Sequence, residues 1–139
     1  MQDRYVGDIG DFLKYGLLRA LSPDLKLGVA WYLFPDEKES RDGKHLDYLG
    51  DPNRWRPRDP ELFDEMKRIV TKGQRSVAAV ENSELFEGVK FYTKVQSSDL
   101  RNLAQRKAWR SGWFSDLLQE LKNCDLVFAD PDNGLYLPD

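Results

Sequence analysis

Cysteine and histidine are almost missing from this chain: Cys124 and His45 are single occurrences among 139 residues. One cysteine forms no internal disulfide, and the CxxC and HExxH patterns that hold zinc do not occur. Cys124 has no histidine near it in sequence, so it reads as a small buried hydrophobe ahead of the terminal strand rather than as a nucleophile. No apolar run approaches the roughly 20 residues that a bilayer-spanning helix needs. The first residues, Met1-Gln2-Asp3-Arg4-Tyr5, show neither the basic start nor the apolar stretch of a secretory signal. The expected compartment is therefore the cytoplasm, with no membrane partner. Positive charge is not in excess either: 21 Lys and Arg stand against 24 Asp and Glu, a net charge of -3. No global field draws this chain to nucleic acid or anionic lipid, which leaves room only for a local basic face. A GxGxxG turn and a phosphate-loop lysine signature are also absent.

What is present is the composition of one soluble globular domain over residues 1–139, 40% hydrophobic and 32% charged. Apolar residues at 13, 17, 18, 20 and 21 form a helical stripe, with Asp8 or Asp11 as its N-cap and Ser22-Pro23 as its stop. Leu27 to Phe34 is a continuous apolar run closed by Pro35, the pattern of a buried strand. The stretch from Pro35 to Pro57 is long and polar, with turn signals at Asp42-Gly43 and Asp51-Pro52. Asp59-Pro60 opens a second helix whose apolar face is Leu62, Phe63, Met66, Ile69 and Val70, ended by Gly73. Val77 to Val80 suits a short strand or a helical turn, and the strand is the expectation. Val89 to Val95 alternates and reads as a strand near the sheet edge. A helix is expected from about Asp99 to Lys122, capped by Ser97 or Ser98 and broken near Gly112. Asp125 to Ala129 is a final apolar strand, expected to be buried on both faces.

Strands alternating with helices predict an open, mostly parallel α/β sheet with helices on both faces, in which 27–34 and 125–129 are central neighbours. The chain stops at Pro138-Asp139, where a parallel sheet normally continues into a covering helix. The expectation is a sheet incomplete at its C-terminus, in a piece of a longer chain.

Four groups of residues carry candidate chemistry. The last strand ends in Asp130-Pro131-Asp132-Asn133-Gly134, and ligands of open α/β sheets bind where strands end. Asp130, Asp132 and Asn133 there can accept protons, hold a cation or hydrogen-bond a base; the same residues also make an ordinary tight turn. If the two apolar strands are neighbours, Asp36 and Glu37 meet this group. Second, Gly7-Asp8-Ile9-Gly10-Asp11 carries two glycines and two acids just before Lys14 and Tyr15, more than cap chemistry requires. Third, His45 stands in the polar stretch, where a surface residue is a commoner reading than a general base. Fourth, Arg101, Arg106, Lys107 and Arg110 accompany Trp109, Trp113 and Phe114; a solvated basic face over a tryptophan core explains them better than base stacking does.

The segment Gly7-Asp8-Ile9-Gly10-Asp11-Phe12-Leu13-Lys14-Tyr15-Gly16-Leu17-Leu18 resembles the amino-terminal segment of the bacterial 23S ribosomal RNA adenine-N6 methyltransferases. Ala129-Asp130-Pro131-Asp132-Asn133 is similar to their Asp-Pro-Pro-Tyr motif. The chain also resembles a group of uncharacterised bacterial and phage proteins with the same GDIGDF opening and DPDNGL ending. The resemblance implies a Rossmann-like methyltransferase sheet, S-adenosylmethionine as cofactor, and N-methylation of a base in RNA or DNA. It implies Asp130, Asp132 and Asn133 around the target amine and Lys14, Gly10 and Asp36 near the cofactor. Asp8, Asp11 and His45 would face the substrate. Two features depart from the family: the segment after strand 27–34 has no glycine before Gly43, and Asp132-Asn133 replaces the Pro-Tyr pair. Two alternatives remain on the same fold. One is a Mg2+- or Mn2+-dependent nuclease or phosphohydrolase with Asp130, Asp132 and Asp36 as metal ligands; the other is a non-catalytic interaction protein.

Overall fold

The computed structural model of the chain describes residues 1–36, 43–96 and 102–131. In chain order these form α1 (Ile9–Leu21), β1 (Leu27–Trp31), α2 (Pro52–Trp55), α3 (Pro60–Thr71), α4 (Val77–Glu81), β2 (Lys90–Tyr92), α5 (Leu103–Leu121) and β3 (Leu126–Asp130). Short 3-10 turns occupy Asp3–Tyr5, Asp47–Gly50, Arg56–Arg58 and Glu84–Phe86. Two compact units result. The first holds Met1, Leu25–Phe34 and Gly88–Asp139; the second holds Gln2–Asp24 and Pro35–Glu87.

The first unit is built on a small open sheet of three parallel strands in the order β2-β1-β3. Gly28 of β1 faces Lys90 on one side and Val127 on the other, and Trp31 faces Asp130. The two most apolar strands are neighbours, as their composition predicts, and every residue of β1 is buried. β3 departs from expectation. It forms one edge of the sheet, and Leu126 and Val127 are 39% and 41% exposed instead of buried on both faces. An apolar run signals a strand but does not say how many neighbours it has, and among the described residues β3 pairs with β1 alone. β2 is the opposite edge and is shorter than the alternating run 89–95.

α5 covers this sheet through Trp113, Leu117 and Leu121, which pack with Ala30 of β1 and Tyr92 of β2. The Tyr92 hydroxyl donates to the Trp113 carbonyl at 3.0 Å, and the Trp113 indole N–H donates to the Lys94 carbonyl at 2.8 Å. The helix starts at Asn102, whose side chain accepts from the Ala104 amide, and the expected caps Ser97 and Ser98 lie outside the described residues. It runs unbroken through Gly112, contrary to the predicted break. Gly112 stands in open space, with the partly buried Trp109 packed against the core before it and the buried anchors 113, 117 and 121, spaced by four, after it. Arg106, Lys107 and Arg110 are exposed while Trp113 is buried, the arrangement of a solvated basic face over a tryptophan core. Arg101 lies outside the described residues.

The second unit is helical. Asp8 caps α1 by accepting from the Gly10 amide, and Asp59 caps α3 by accepting from the Leu62 amide with Pro60 in the first turn. Leu62, Phe63, Met66 and Ile69 are buried along α3, which ends near Gly73 at a φ of 65°. Phe12 of α1 contacts the rings of Tyr48, Trp55 and Phe63 at centroid distances of 5.2, 6.0 and 6.3 Å. The segment 77–80 is a helix, α4, rather than the expected strand: Ser76 accepts from the Ala79 amide, and Val77 and Val80 share the buried face at helical spacing. The polar stretch before Pro57 is also more ordered than its composition suggests, because Asp51 caps α2 ahead of Pro52. Among the described residues no helix is long and apolar enough to cross a membrane.

Gly28 marks the tightest point of the sheet, because a Cβ there would lie 2.9 Å from Cys124 Sγ and 3.3 Å from Leu121 Cδ1. Gly28→Ala is expected to cost about 1–3 kcal/mol through overpacking, measured as a lower urea midpoint. Combining it with Cys124→Ala should restore part of the loss, and no recovery would show that sulfur is not the obstacle.

Candidate functional site

The order β2-β1-β3 makes the chain cross from one side of β1 to the other, so the sheet has a topological switch point between β1 and β3. Crevices outside the carboxyl ends of strands at such a point are where open α/β sheets take ligands. Here those ends carry Trp31 and the half-buried Asp130, directly opposite one another in register. Trp31 stacks against Phe91 at 6.1 Å and 15°, and Tyr32 packs on Trp113 at 4.7 Å. Beyond β1 the backbone is already engaged. The Met1 ammonium donates to the Tyr32 carbonyl at 2.7 Å, the Phe34 amide donates to the Met1 carbonyl at 3.0 Å, and the Gln96 amide donates to the Leu33 carbonyl at 2.7 Å.

Of the predicted catalytic group, Asp130 is placed at this switch point, whereas Asp132 and Asn133 lie outside the described residues. Asp36 belongs to the second unit, where its carboxylate accepts from the Arg4 amide at 3.3 Å, and Glu37 lies outside the described residues. For the metal alternative, no group of three His, Cys, Asp or Glu suited to a cation occurs among the described residues.

The second unit gathers the remaining predicted residues, Asp8, Gly10, Asp11, Lys14 and His45, around the start of α1. One oxygen of Asp8 accepts from Gly10 at 2.9 Å and the other from the His45 amide at 3.0 Å, while the Ile9 amide returns a bond to the His45 carbonyl at 3.1 Å. His45 thus joins through its backbone and its side chain is exposed. Asp11 is buried and accepts from the Tyr15 hydroxyl at 3.1 Å and the Lys14 ammonium at 3.0 Å. The Tyr48 hydroxyl donates to the Gly7 carbonyl at 3.0 Å. Burial first, then the carboxylates of Asp11 and Asp8, hold the Tyr48 phenol well above its ordinary pKa, with Arg75 opposing.

Two glycines permit this convergence. Gly7 has a φ of 88° with its missing Cβ aimed at Val70, and Gly43 has a φ of 76° with its missing Cβ against the Arg4 carbonyl. Arg75 completes the assembly by donating to the carbonyls of Val6, Arg4 and Gly43. The glycine-acid pattern near residue 10 is thus a folding joint: it fastens the segment around His45 to the head of α1.

Sequence reasoning passed over the arginines of this unit. Arg19 donates to Asp59 at 2.8 Å, Glu61 at 2.7 Å and the Leu85 carbonyl at 3.1 Å. Burial works against its charge, and the bonds to the two carboxylates outweigh it, holding the guanidinium above its ordinary pKa. Arg56 is bound by both oxygens of Asp64. Arg54 and Arg58 instead lie over the Trp55 ring, at 5.4 and 5.1 Å from its centroid. Among the described residues neither guanidinium has a carboxylate partner. The signal was present in Asn53-Arg54-Trp55-Arg56-Pro57-Arg58, three arginines around one tryptophan with no acid between them.

Removing the joint's acid should be costly: Asp8→Ala is expected to lose about 1–2 kcal/mol by denaturant unfolding, and Asp8→Asn less, because one acceptor remains. Tyr48 adds a pH dependence. Its raised folded pKa means stability is fully present below the unfolded tyrosine value of about 10 and is lost as pH rises past it. In Tyr48→Phe that alkaline decline should be shallower, by at most about 1.4 kcal/mol per pH unit. Identical slopes in the two proteins would remove Tyr48 as its source.

No family model, no curated protein and no solved structure matches this chain.

Proposed function

We propose that this chain is a methyltransferase-like protein that holds an amine-bearing nucleic-acid base at the carboxyl ends of β1 and β3. The observation that carries this reading is the strand order β2-β1-β3, all parallel, with Asp130 closing β3 at the switch point. A carboxylate there suits the exocyclic amine of a base: it accepts a hydrogen bond from the N–H and keeps the nitrogen lone pair oriented. The neighbouring aromatics, Trp31, Tyr32, Phe91 and Trp113, give the strand ends an apolar setting that strengthens such a bond. The likeness of Gly7–Leu18 and Ala129–Asn133 to the ribosomal RNA adenine-N6 methyltransferases supports the same substrate class.

S-adenosylmethionine is the methyl donor that this reading implies, and it would supply an already activated methyl group. The described residues do not form the cradle such a cofactor needs. No glycine follows β1 before Gly43, and the backbone at Tyr32–Phe34 is bonded to Met1 and Gln96. Asp130 is given one task, holding the amine.

Two measurements test this proposal. An adenine-containing single-stranded RNA is expected to bind the wild-type chain and to bind Asp130→Ala roughly tenfold more weakly, as expected for a lost bond to a charged acceptor. Unchanged affinity would remove Asp130 from the site. Calorimetry with S-adenosylmethionine separates methyl transfer from base binding alone: a dissociation constant in the micromolar range supports the methyl-transfer reading. No heat at millimolar concentration would eliminate methyl transfer and leave a base-binding protein.

A further inference from the structure

The second unit contains a cleft of about 680 Å³ along α1 and the start of α3, within the size range of small-ligand sites. Its apolar wall is formed by Phe12, Leu13 and Ala20 from α1 and Leu62 from α3, and Arg19 with its partner Asp59 also lines it. Leu13 is 57% exposed, a large apolar side chain left facing the opening. Arg58 lines the same cleft. Its guanidinium and that of Arg54 share one tryptophan ring, so the two charges are no farther apart than their two distances to that ring combined.

The charges in this region fall into two sets. Arg19 and Arg56 are neutralised by carboxylates: Asp59 and Glu61 for the first, Asp64 for the second. Arg54 and Arg58 have no carboxylate partner among the described residues, and stacking on Trp55 orders their planar forks in advance. Guanidiniums pre-positioned in this way bind an oxyanion with less loss of side-chain freedom. An apolar cleft for a flat ring, rimmed by cations for a phosphate, matches the two halves of a nucleotide.

We propose that this cleft is a binding site for a nucleotide unit, with the base lying against the apolar wall of α1 and α3 and the phosphate on Arg58 and Arg54. It is separate from the Asp130 site and does not depend on the methyl-transfer reading. The same chemistry is offered by a free mononucleotide and by one unit of a single strand, and the test separates the two sources.

The full chain is titrated with a short fluorescein-labelled single-stranded RNA and, in competition, with adenosine monophosphate. The variants are Arg54→Gln with Arg58→Gln, and Ala20→Trp, all at exposed positions, with circular dichroism to verify folding. The double arginine variant is expected to bind RNA roughly tenfold more weakly. The slope of log K against log salt should fall by about 0.7, as one phosphate contact on a single strand requires. Ala20→Trp, which fills the cleft, should weaken binding without changing the salt slope. Displacement by adenosine monophosphate identifies a mononucleotide site, and displacement only by unlabelled strand identifies a strand site; either result supports the proposal. It is overturned if wild type binds neither probe, if the double arginine variant binds like wild type, or if Ala20→Trp binds as tightly as wild type. Equal affinity for a glutamate-rich peptide, lost in the same arginine variant, also overturns it. Asp130→Ala, which tests the other site, should leave the adenosine monophosphate displacement unchanged.

Discussion

Parallel pairing of β1 on both sides is the constraint from which the rest of this structure follows. Two parallel strands cannot be joined by a tight turn; each connection must return over a dozen or more residues. The sheet therefore requires two long connections, one from β1 to β2 and one from β2 past β1 to β3. The second is economical and consists essentially of α5. The first, from Pro35 to Glu87, contains α2, α3 and α4 among its described residues and joins α1 in a compact unit of its own. The first crossover places β2 on one side of β1 and the second places β3 on the other, and that reversal creates the switch point that Asp130 occupies.

Within the second unit, acids at helix starts do double duty. Asp8 caps α1 and also binds the His45 amide; Asp59 caps α3 and also binds Arg19. A cap ordinarily stabilises one helix end by about 1 kcal/mol, but these carboxylates also tie distant segments to that end. The arginines follow the same logic. Arg75 and Arg19 bridge segments far apart in the sequence and Arg56 is held by Asp64, whereas Arg54 and Arg58 are stacked on Trp55. Charge that the fold does not consume is the charge available to a ligand.

Local grammar made much of the secondary structure legible. Asp59-Pro60 announced α3, the stripe at 13, 17, 18, 20 and 21 announced α1, and the run from Leu27 announced β1. Grammar misled where two readings share one pattern. Val77-Ala78-Ala79-Val80 suits a strand by residue type, but Ser76 ahead of it turns the segment into a capped helix. Gly112 has the composition of a break, but Trp109 before it and Trp113 after it both pack against the core and α5 runs through. The acids and glycines before Lys14 looked like a site and form a joint, because hydrogen-bond partners such as His45 and Arg75 come from far along the chain.

What the sequence determined alone was the set of elements with local causes: helices with their caps, the apolar strands, and Asp130 at the end of the last one. The tertiary structure alone decided that β3 is an edge with exposed apolar residues, that Asp36 belongs to a different unit from Asp130, and that two guanidiniums share the ring of Trp55. The reason is physical. Caps, turns and periodicity act over a few residues and are written in the order of the chain, whereas strand neighbours and ion-pair partners depend on which distant segments compete for the same contact.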